Sequence, residues 1–259
     1  MADRVTISVA DQIADVRFNR ADKMNALDPE QFRAIGAAID ELHQRQDVRC
    51  VVLSGEGRAF CAGLDMASIA GGGSGTGRER NDQGSILPQH VSWGWRQLPM
   101  PVIAAVHGVA FGGGFQMMAG ADIRIAHPDT RFAIREVHWG LVPDMAGFPL
   151  WRTQVRDDVL RELVYTAREF GAAEALVHGF VTRLSEDPHA AALALAKEIA
   201  ARSPHAIRGA KRLCNAAHDL DPRAMLEMET DEQVAVIGKP NMMEAVAANM
   251  GKRAAKFYD

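Results

Sequence analysis

The stretch VHGVAFGGGFQMMAGADIRIA, residues 106–126, places three consecutive glycines between a strand-like and a helix-like apolar run. If a strand ends in Gly112, Gly113 and Gly114 and turns directly into a helix, the turn exposes backbone N–H groups at the positive end of a helix dipole, with no Cβ to block a ligand. Such a turn suits a developing negative charge. Close packing against a neighbouring strand explains the glycines equally well at this point.

A second turn makes the first one more informative. No Gly-Lys-Ser/Thr follows the three glycines, and their spacing is not GxGxxG, which disfavours a nucleotide-phosphate site. In RCVVLSGEGRAFCAGLDMASI, residues 49–69, an apolar strand ends at Gly55 and is followed by the small residues Cys61, Ala62 and Gly63. Two backbone turns in one chain can direct N–H groups at a single carbonyl oxygen.

Composition excludes several classes of protein. The 259 residues suffice for one large domain, with or without an appendage. The 29 Lys and Arg residues against 33 Asp and Glu give a net charge of −4, so no overall basic field attracts nucleic acid or an anionic membrane. The amino-terminal segment has no apolar signal region, and no later window reaches about 18 uninterrupted apolar residues. We therefore expect a cytoplasmic protein with neither nucleic-acid nor membrane partners.

The three cysteines, Cys50, Cys61 and Cys214, are odd in number and widely spaced. They form no CxxC pair of the kind that binds metals and no disulfide framework. We expect buried free thiols and no metal site.

Strand-like runs alternate with helical patterns up to about residue 185, which predicts an α/β layered fold. The strand-like runs are Val5–Val9, Ile13–Phe18, Val48–Leu53, Val102–Val106, Ile123–Ala126 and Arg131–Ile134. The first helix is predicted in residues 27–44, with Asp28 as N-cap, Pro29 in the first turn and Gln31 at the third helical position. Its core-facing residues are Phe32, Ile35, Ile39 and Leu42.

From about residue 186 the strand patterns stop. Three helical patterns each open on Ser or Asp followed by Pro, at Asp187, Ser203 and Asp221. The sequence thus divides into an α/β core domain, residues 1–185, and a helical region, residues 186–259. The glycine-rich GGGSGTG, residues 71–77, is predicted to be a mobile surface loop.

Four segments occur in order along almost the whole chain: RADKMNALD (20–28), GRAFCAGLDM (57–66), PVIAAVHGVAFGGGFQMMAGADIRIA (101–126) and EALVHGFVTRL (174–184). Together they resemble the crotonase, or enoyl-CoA hydratase/isomerase, superfamily. The resemblance implies a crotonase-like spiral of ββα units with a C-terminal helical trimerisation region. It also implies a homo-oligomer, either a trimer or a dimer of trimers.

The same resemblance implies an acyl-CoA thioester substrate and no cofactor other than its coenzyme A. The thioester oxygen would lie between the backbone N–H groups of Leu64 and Gly113. A preorganised donor of this kind in a dry site is worth about 3 kcal/mol of transition-state stabilisation. The implied contacts to coenzyme A are Lys23, Met24, Asn25, Ala62 and Gly63, with Arg58, Lys252, Arg253 and Lys256 as candidates for its phosphates. The carboxy-terminal basic residues could serve a neighbouring subunit, although a solvated face explains the individual basic residues equally well.

The resemblance also points to catalytic side chains. Hydratases of the family hold water between two glutamates; the second is matched by Glu136, whereas the first is replaced by Gln116, which cannot take a proton at neutral pH. Dienoyl-CoA isomerases of the family have a Glu and an Asp eight residues apart, matched by Glu136 and Asp144, and a third acid that Gln116 replaces. Two carboxylates across a flat enolate are what a proton shuttle requires.

Other roles remain open for several of these residues. Asp144 could instead be the N-cap of a following helix. His138 joins Glu136 in the pocket if strand alternation continues past it, and is otherwise a structural histidine. Asp65 and Asp122 are expected to brace turns or strand ends. One set of large side chains either lines an acyl tunnel or belongs to the core: Trp93, Trp95, Phe111, Phe115, Met117 and Phe148.

Three functions are therefore compatible with the sequence. The favoured one is an acyl-CoA double-bond isomerase that stabilises an enolate and shuttles protons between Glu136 and Asp144. The second is a 2-enoyl-CoA hydratase, a lyase, in which Glu136 alone activates a water that Gln116 positions. The third is a catalytically weak acyl-CoA binding protein, which the retention of Glu136 disfavours.

Overall fold

The computed structural model describes residues 3–70, 79–82 and 84–259, with only the backbone described for 69 and 70. The glycine-rich segment 71–77, which the sequence predicts to be a mobile loop, lies outside the described residues. Within the described residues, strands and helices alternate up to the last strand and only helices follow it.

The strands form two sheets. Their bounds are β1 (Val5–Ala10), β2 (Ile13–Phe18), β3 (Cys50–Gly55), β4 (Val102–Val106), β5 (Val109–Phe111), β6 (Ile123–Ala126), β7 (Arg131–Ala133), β8 (Phe170–Gly171) and β9 (Arg183–Leu184). The larger sheet has the order β1-β2-β3-β4-β6-β9 and is parallel except for the β1/β2 pair. The smaller has the order β5-β7-β8, with β5 and β7 parallel and β7 and β8 antiparallel. All six predicted strands are present, with ends shifted by up to two residues.

The helices surround these sheets. Their bounds are α1 (Pro29–Gln44), α2 (Met66–Ala70), α3 (Leu87–Gln97), α4 (Gly113–Ala119), α5 (Gly147–Trp151), α6 (Asp157–Thr166), α7 (Ala172–His178), α8 (Pro188–Ala200), α9 (Pro204–Ala216), α10 (Pro222–Val236) and α11 (Pro240–Met250). Short 3₁₀ turns cover Ala21–Lys23 and Val137–Trp139. The N-cap predicted for α1 is confirmed, because the Asp28 side chain accepts a hydrogen bond from Gln31 N at 2.7 Å.

Strands β3 and β4 of the larger sheet are buried on both faces, and strand alternation divides their side chains between two apolar clusters. On β4, Val102, Ala104 and Val106 face the cluster that contains the predicted apolar face of α1. Ile103 and Ala105 face the opposite cluster, which contains Ala192, Ala196 and Ala200 of α8. Small residues on α8 let the helix approach the sheet closely.

This packing bears on the predicted division at residue 185. The boundary falls just after the last strand, as expected from the loss of strand patterns. However, α8 covers one face of the sheet and so completes the core rather than standing apart from it. The caps expected at Asp187 and Asp221 form through their side chains, whereas Ser203 caps α9 without a side-chain hydrogen bond. The division into two domains stays a prediction.

The cysteine prediction is correct for two residues and wrong for the third. Cys50 and Cys61 are free and buried, and burial raises the pKa of each thiol to about 12. Cys214 is also free, but it is exposed on α9 because the outer face of that helix is uncovered in the single chain. No helix in the described part of the chain combines the length and apolar character needed to span a bilayer.

Candidate active site

The smaller sheet brings the glycine turn and Glu136 together. Strands β5 and β7 are parallel, with Phe111 opposite Ala133, and the carboxyl ends of parallel strands meet at the same edge. The Gly112 N–H donates to Ala133 O at 2.9 Å, one residue beyond the paired strand. An ideal Cβ on Gly112 would lie 3.4 Å from Glu136 Oε1. Two segments separated by about twenty residues in sequence therefore form one wall.

The second predicted turn packs against the same edge. Phe111 N donates to Cys61 O at 3.0 Å, and Leu27 N donates to Gly63 O at 2.8 Å, so residues 61–63 lie between two neighbouring backbone segments. An ideal Cβ on Gly63 would lie 3.7 Å from Gly113 N. Among the described residues, neither the Leu64 N–H nor the Gly113 N–H donates a hydrogen bond. The structure thus brings the two predicted oxyanion donors to one place.

The three glycines are required for three different reasons. Gly112 has φ of +49°, which favours glycine. An ideal Cβ on Gly113 would lie 2.7 Å from Met145 Sδ and 2.8 Å from Leu27 Cδ1. A Cβ on Gly114 would collide with Cys61 O in the adjacent turn. Positive φ therefore favours glycine at position 112, the position on the cavity wall favours it at 113, and close packing favours it at 114.

Glu136 lies on the cavity wall at the start of the 3₁₀ turn that follows β7, with 6% of its surface exposed. Oε1 accepts from Gln116 Nε2 at 2.6 Å, whereas Oε2 has no partner among the described residues. Burial raises the pKa of Glu136, and the Asp144 charge raises it further, against the opposing effect of hydrogen bonds from backbone N–H groups and Gln116. This carboxylate is a stronger base than an ordinary glutamate and has one oxygen available.

Gln116 is fully buried on α4, behind Glu136. Its Oε1 accepts from Met145 N and from Gly147 N, both at 3.0 Å. Gln116 lines neither of the two cavities described below. The sequence nominates Gln116 as a catalytic residue; the structure buries it outside the lining of both cavities.

The two predicted carboxylates, Glu136 and Asp144, line two different but neighbouring cavities. The first, the Glu136 cavity, measures about 240 Å³ and is lined by Glu136 and five other predicted residues: Met24, Ala62, Gly63, Leu64 and Gly113. The second, the Asp144 cavity, measures about 340 Å³ and is lined by Asp144 with Trp93 and Phe148. Met145 packs on Gly113 of the first cavity and is flanked by Asp144 and Ala146 of the second.

The alternative role for Asp144 as a helix cap is wrong. Helix α5 begins at Gly147 and its N-cap is Ala146, which has φ of +64°. Asp144 lies in the preceding loop and is exposed. Partial loss of hydration nevertheless raises the pKa of its carboxyl. It can therefore exchange protons with solvent and still hold one more readily than an ordinary aspartate.

Known proteins resemble this chain in sequence and in fold. A family model described as enoyl-CoA hydratase/isomerase matches residues 8–259. The chain belongs to the enoyl-CoA hydratase/isomerase family. The mitochondrial Delta(3,5)-Delta(2,4)-dienoyl-CoA isomerase of Mus musculus is 30% identical over 96% of this chain and 80% of its own length. The short-chain-enoyl-CoA hydratase of Clostridium acetobutylicum is 29% identical over 97% of this chain and 96% of its own length.

Solved structures in the enoyl-CoA hydratase/isomerase family share the fold. An enoyl-CoA hydratase from Mycobacterium tuberculosis matches with a TM-score of 0.88 and 28% identity over 99% of both chains. One from Bacillus anthracis matches with a TM-score of 0.88 and 26% identity over 98% of both chains. The crotonase-like α/β fold expected from the sequence is confirmed. Relatives of both reaction types resemble the chain to a similar degree, so the reaction must be inferred from the site.

Some of the residues expected to contact coenzyme A in this enoyl-CoA hydratase/isomerase family member lie together at one cavity, and others do not. Met24, Ala62 and Gly63 line the Glu136 cavity, and Lys23 is exposed beside Met24. The Asn25 side chain is buried and holds the turn together by bonding Arg20 N, Glu56 O and Ala59 O. Arg58 is exposed and forms no ion pair within the described residues. Their contacts to coenzyme A stay predictions.

Lys252 and Lys256 belong to the carboxy-terminal tail, outside the residues that line the Glu136 cavity. The tail that carries them ends at Asp259, whose carboxylate binds Arg49 Nε at 2.6 Å just before β3. The Glu136 cavity lies beyond the opposite end of β3, roughly 20 Å away for a six-residue strand. Their contacts to the coenzyme A phosphates, in this chain or in a neighbouring subunit, stay predictions. Arg253 is already paired with Glu244, at 2.6 Å.

Several residues lining the Glu136 cavity were not singled out from the sequence. Arg135, Trp139 and Leu141 follow β7, where the chain turns out of the strand and its pattern gives no periodic signal. The same turn corrects the expectation for His138. Strand alternation stops at Ala133, and His138 is exposed, with its ring edge-on to Trp139 rather than beside Glu136.

The six large side chains predicted either to line an acyl tunnel or to belong to the core fall into two groups. Trp95, Phe115 and Met117 are fully buried core residues, while Phe111 lines the Glu136 cavity and Trp93 and Phe148 line the Asp144 cavity. Asp65 and Asp122 brace the scaffold as expected: Asp65 pairs with Arg20 at 2.7 Å, and Asp122 pairs with Lys211 at 2.8 Å. Among the described residues, no three His, Cys, Asp or Glu side chains cluster in a way that suits a metal ion.

Proposed function

We propose that the chain isomerises 3,5-dienoyl-CoA to 2,4-dienoyl-CoA. The observation that carries the proposal is the arrangement of the three polar side chains. Glu136 and Asp144 face adjoining cavities, whereas Gln116 is turned away from both by hydrogen bonds. Relatives named for this isomerisation support the choice of substrate. A hydratase would need position 116 to hold water, and the Gln116 oxygen is already occupied by two backbone donors.

The reaction is a proton transfer along a conjugated chain. Glu136, beside the glycine turn, takes a proton from C2 next to the thioester carbonyl. The C2 electrons spread to the carbonyl oxygen and along the diene, and the Leu64 and Gly113 N–H groups stabilise the negative charge. Asp144, in the protonated form, gives a proton to C6. The double bonds move from positions 3 and 5 to 2 and 4, and one proton is gained for each one lost.

The two carboxyls are suited to these different tasks. Burial strengthens Glu136 as a base without giving it direct contact with bulk water. Asp144 is exposed, and its raised pKa favours the protonated form that an acid needs. After each turnover Glu136 releases the proton taken from C2, and Asp144 regains one from solvent. No redox partner enters this balance, so coenzyme A, as part of the substrate, is the only cofactor that the proposal includes.

The test removes each of the two carboxylates in a separate variant. With 3,5-dienoyl-CoA as substrate, the wild type should generate the absorbance of a 2,4-dienoyl thioester. In D₂O, Glu136→Gln should abolish exchange at C2 and lower turnover by about 10²–10⁴-fold while leaving binding nearly unchanged. Asp144→Asn should retain C2 exchange but lose deuterium incorporation at C6. Exposed Asp129→Asn is the control.

Two results would overturn the proposal. One is near wild-type turnover by Glu136→Gln. The other is rapid loss of crotonyl-CoA absorbance in wild type without any isomerisation of the dienoyl substrate, which would make the chain a 2-enoyl-CoA hydratase. Binding of acyl-CoA without either reaction would instead identify a binding protein.

We also infer a homotrimer, or a dimer of trimers, as the working form. Support comes from the large apolar side chains exposed on α10 and α11. A cytoplasmic location stays a prediction, to be checked by fractionating cells that express the tagged protein.

A further inference from the structure

We propose that Gln116 is a positioning residue that holds Glu136 and the Asp144 loop in register and never touches the substrate. The inference rests on the proposed function and assigns a new task to a residue of that site. We call Gln116 and its three hydrogen bonds, to Glu136, Met145 and Gly147, the amide tie.

The backbone determines which way the amide points. Gln116 Oε1 accepts from Met145 N and from Gly147 N, both at 3.0 Å, and so both of its acceptor sites are filled. A flipped amide would set its own N–H groups against these two donors. Nε2 must therefore face Glu136, where it donates to Oε1 at 2.6 Å. The orientation follows from the loop and not from the substrate.

The first effect of the amide tie is on the base. With Oε1 held, Glu136 has one carboxylate oxygen left for a substrate proton, Oε2, which is buried and has no partner among the described residues. The bond also limits rotation of the carboxylate, so Oε2 keeps one direction relative to the oxyanion donors. Fixed geometry of this kind contributes to rate without any contact between Gln116 and the reacting atoms.

The second effect is on the loop that carries the acid. Ala146 lies between the two bonded N–H groups and has φ of +64°, a conformation that is strained for a non-glycine residue. Two buried hydrogen bonds from its neighbours offset that strain. The same loop presents Asp144 on one side and packs Met145 against Gly113 on the other. The amide tie therefore fixes the acid, the base and one oxyanion glycine together.

A glutamate could not do the same work. Its carboxylate could still accept from Met145 and Gly147, but it would face Glu136 oxygen to oxygen at the distance now bridged by an N–H donor. Two carboxylates so close in a buried site hold one proton between them and titrate as a pair. Glutamine at position 116 leaves Glu136 free to ionise alone.

The deciding experiment exchanges the two side chains. The double variant Gln116→Glu/Glu136→Gln restores a donor and an acceptor across the pair and keeps a carboxylate for the two loop N–H groups. Its thermal stability should recover relative to Gln116→Glu. Its isomerase turnover should stay at least about 10²-fold below wild type, because the carboxylate now lies behind the cavity. Turnover within about threefold of wild type would overturn the proposal, since position 116 would then reach the substrate.

A pH profile provides the second measurement and does not depend on the exchange variant folding. Gln116→Met removes all three hydrogen bonds at similar volume. The bond from Gln116 lowers the pKa of Glu136, so its loss should move the acid limb of kcat to higher pH, with KM changed less than kcat. Gln31→Glu, at a fully buried glutamine of α1 away from both cavities, is the control for general destabilisation. An unchanged profile and kcat in Gln116→Met would overturn the proposal.

These outcomes separate the amide tie from the function on which it rests. If Glu136→Gln alone keeps full turnover, the proposed function fails. If Glu136→Gln is inactive but Gln116→Met behaves as wild type, only the amide tie fails.

Discussion

Glu136 acquires its chemistry from its neighbours. The backbone of the 3₁₀ turn and Gln116 stabilise its charge, whereas burial and Asp144 oppose it, and the net effect raises its pKa. A carboxylate held in this way is a good base but an unfavourable contributor to folding. Each unit by which the pKa is raised corresponds to about 1.4 kcal/mol at pH values where the group is ionised. Catalytic strength and stability are therefore opposed at this residue.

Glu136→Gln should therefore stabilise the fold while it removes activity. The folded pKa of Glu136 lies above the unfolded one, so the native state loses stability as pH rises past the unfolded value. The variant lacks this loss and keeps an acceptor for Gln116. Its melting temperature should exceed that of wild type at pH 7–8, and the difference should vanish below the unfolded pKa. Differential scanning calorimetry over pH, with Asp129→Asn as control, checks this; a lower melting temperature at neutral pH would contradict it.

At the scale of elements, parallel pairing of β5 with β7 assembles the site. Both strands are only three residues long, yet their carboxyl ends place the glycine turn and Glu136 on one edge. Helix α4 starts immediately at Gly113, which lines the cavity and whose N–H group donates no hydrogen bond among the described residues. The segment 61–64 supplies the other donor because it pairs with both Leu27 and Ala110.

Gly113→Val should abolish turnover for a steric reason. Gly113 does not have positive φ, so the added side chain causes no backbone strain of that kind. Its Cβ would meet Met145 and Leu27 within 2.8 Å, and the branches would cover the oxyanion donor. We expect a fall in kcat/KM of about 10²-fold or more, as for loss of one such donor. Steady-state kinetics check this against Gly171→Val, where an added Cβ has open space. Normal kinetics in a correctly assembled Gly113→Val would place the oxyanion hole elsewhere.

For the whole molecule, many of the exposed large apolar side chains lie near the carboxy-terminal end, and another group lies at residues 137–148 beside the candidate site. Large apolar side chains are exposed along α10 and α11: Leu226, Val234, Ile237, Met242, Met243, Val246 and Met250. A patch of this kind on one chain marks a protein interface. Lys252 and Lys256 follow α11 closely in the chain.

Met243→Glu should weaken the proposed trimer. Met243 is 57% exposed in the single chain, and a charge there would have to be buried on assembly. Sedimentation velocity should show a shift from trimer or hexamer towards monomer that reverses with protein concentration, and KM for acyl-CoA should rise with dissociation. Val9→Glu, at an exposed position of edge strand β1, is the control. A wild type that sediments as a monomer at all concentrations would exclude the proposed assembly.

The sequence by itself determined the elements and the identity of most of the site. Alternation and 3.6-residue periodicity are local properties, so six of the strands and the buried face of α1 could be predicted, as could caps such as Asp28. Backbone turns built from small residues were also visible, and they supplied both oxyanion candidates. Strands β8 and β9 were missed because two residues carry no period.

Only the tertiary structure decided what the polar residues do. The direction of Gln116 depends on two N–H groups about thirty residues away, and the base strength of Glu136 depends on burial by segments that no local pattern connects. His138 was misplaced because the chain leaves the strand before reaching it, and Asp144 was separated from Glu136 by the packing of Met145 on Gly113. Hydrogen-bond direction and desolvation are properties of surroundings assembled from distant segments. Sequence spacing can nominate such residues, but folding assigns their roles.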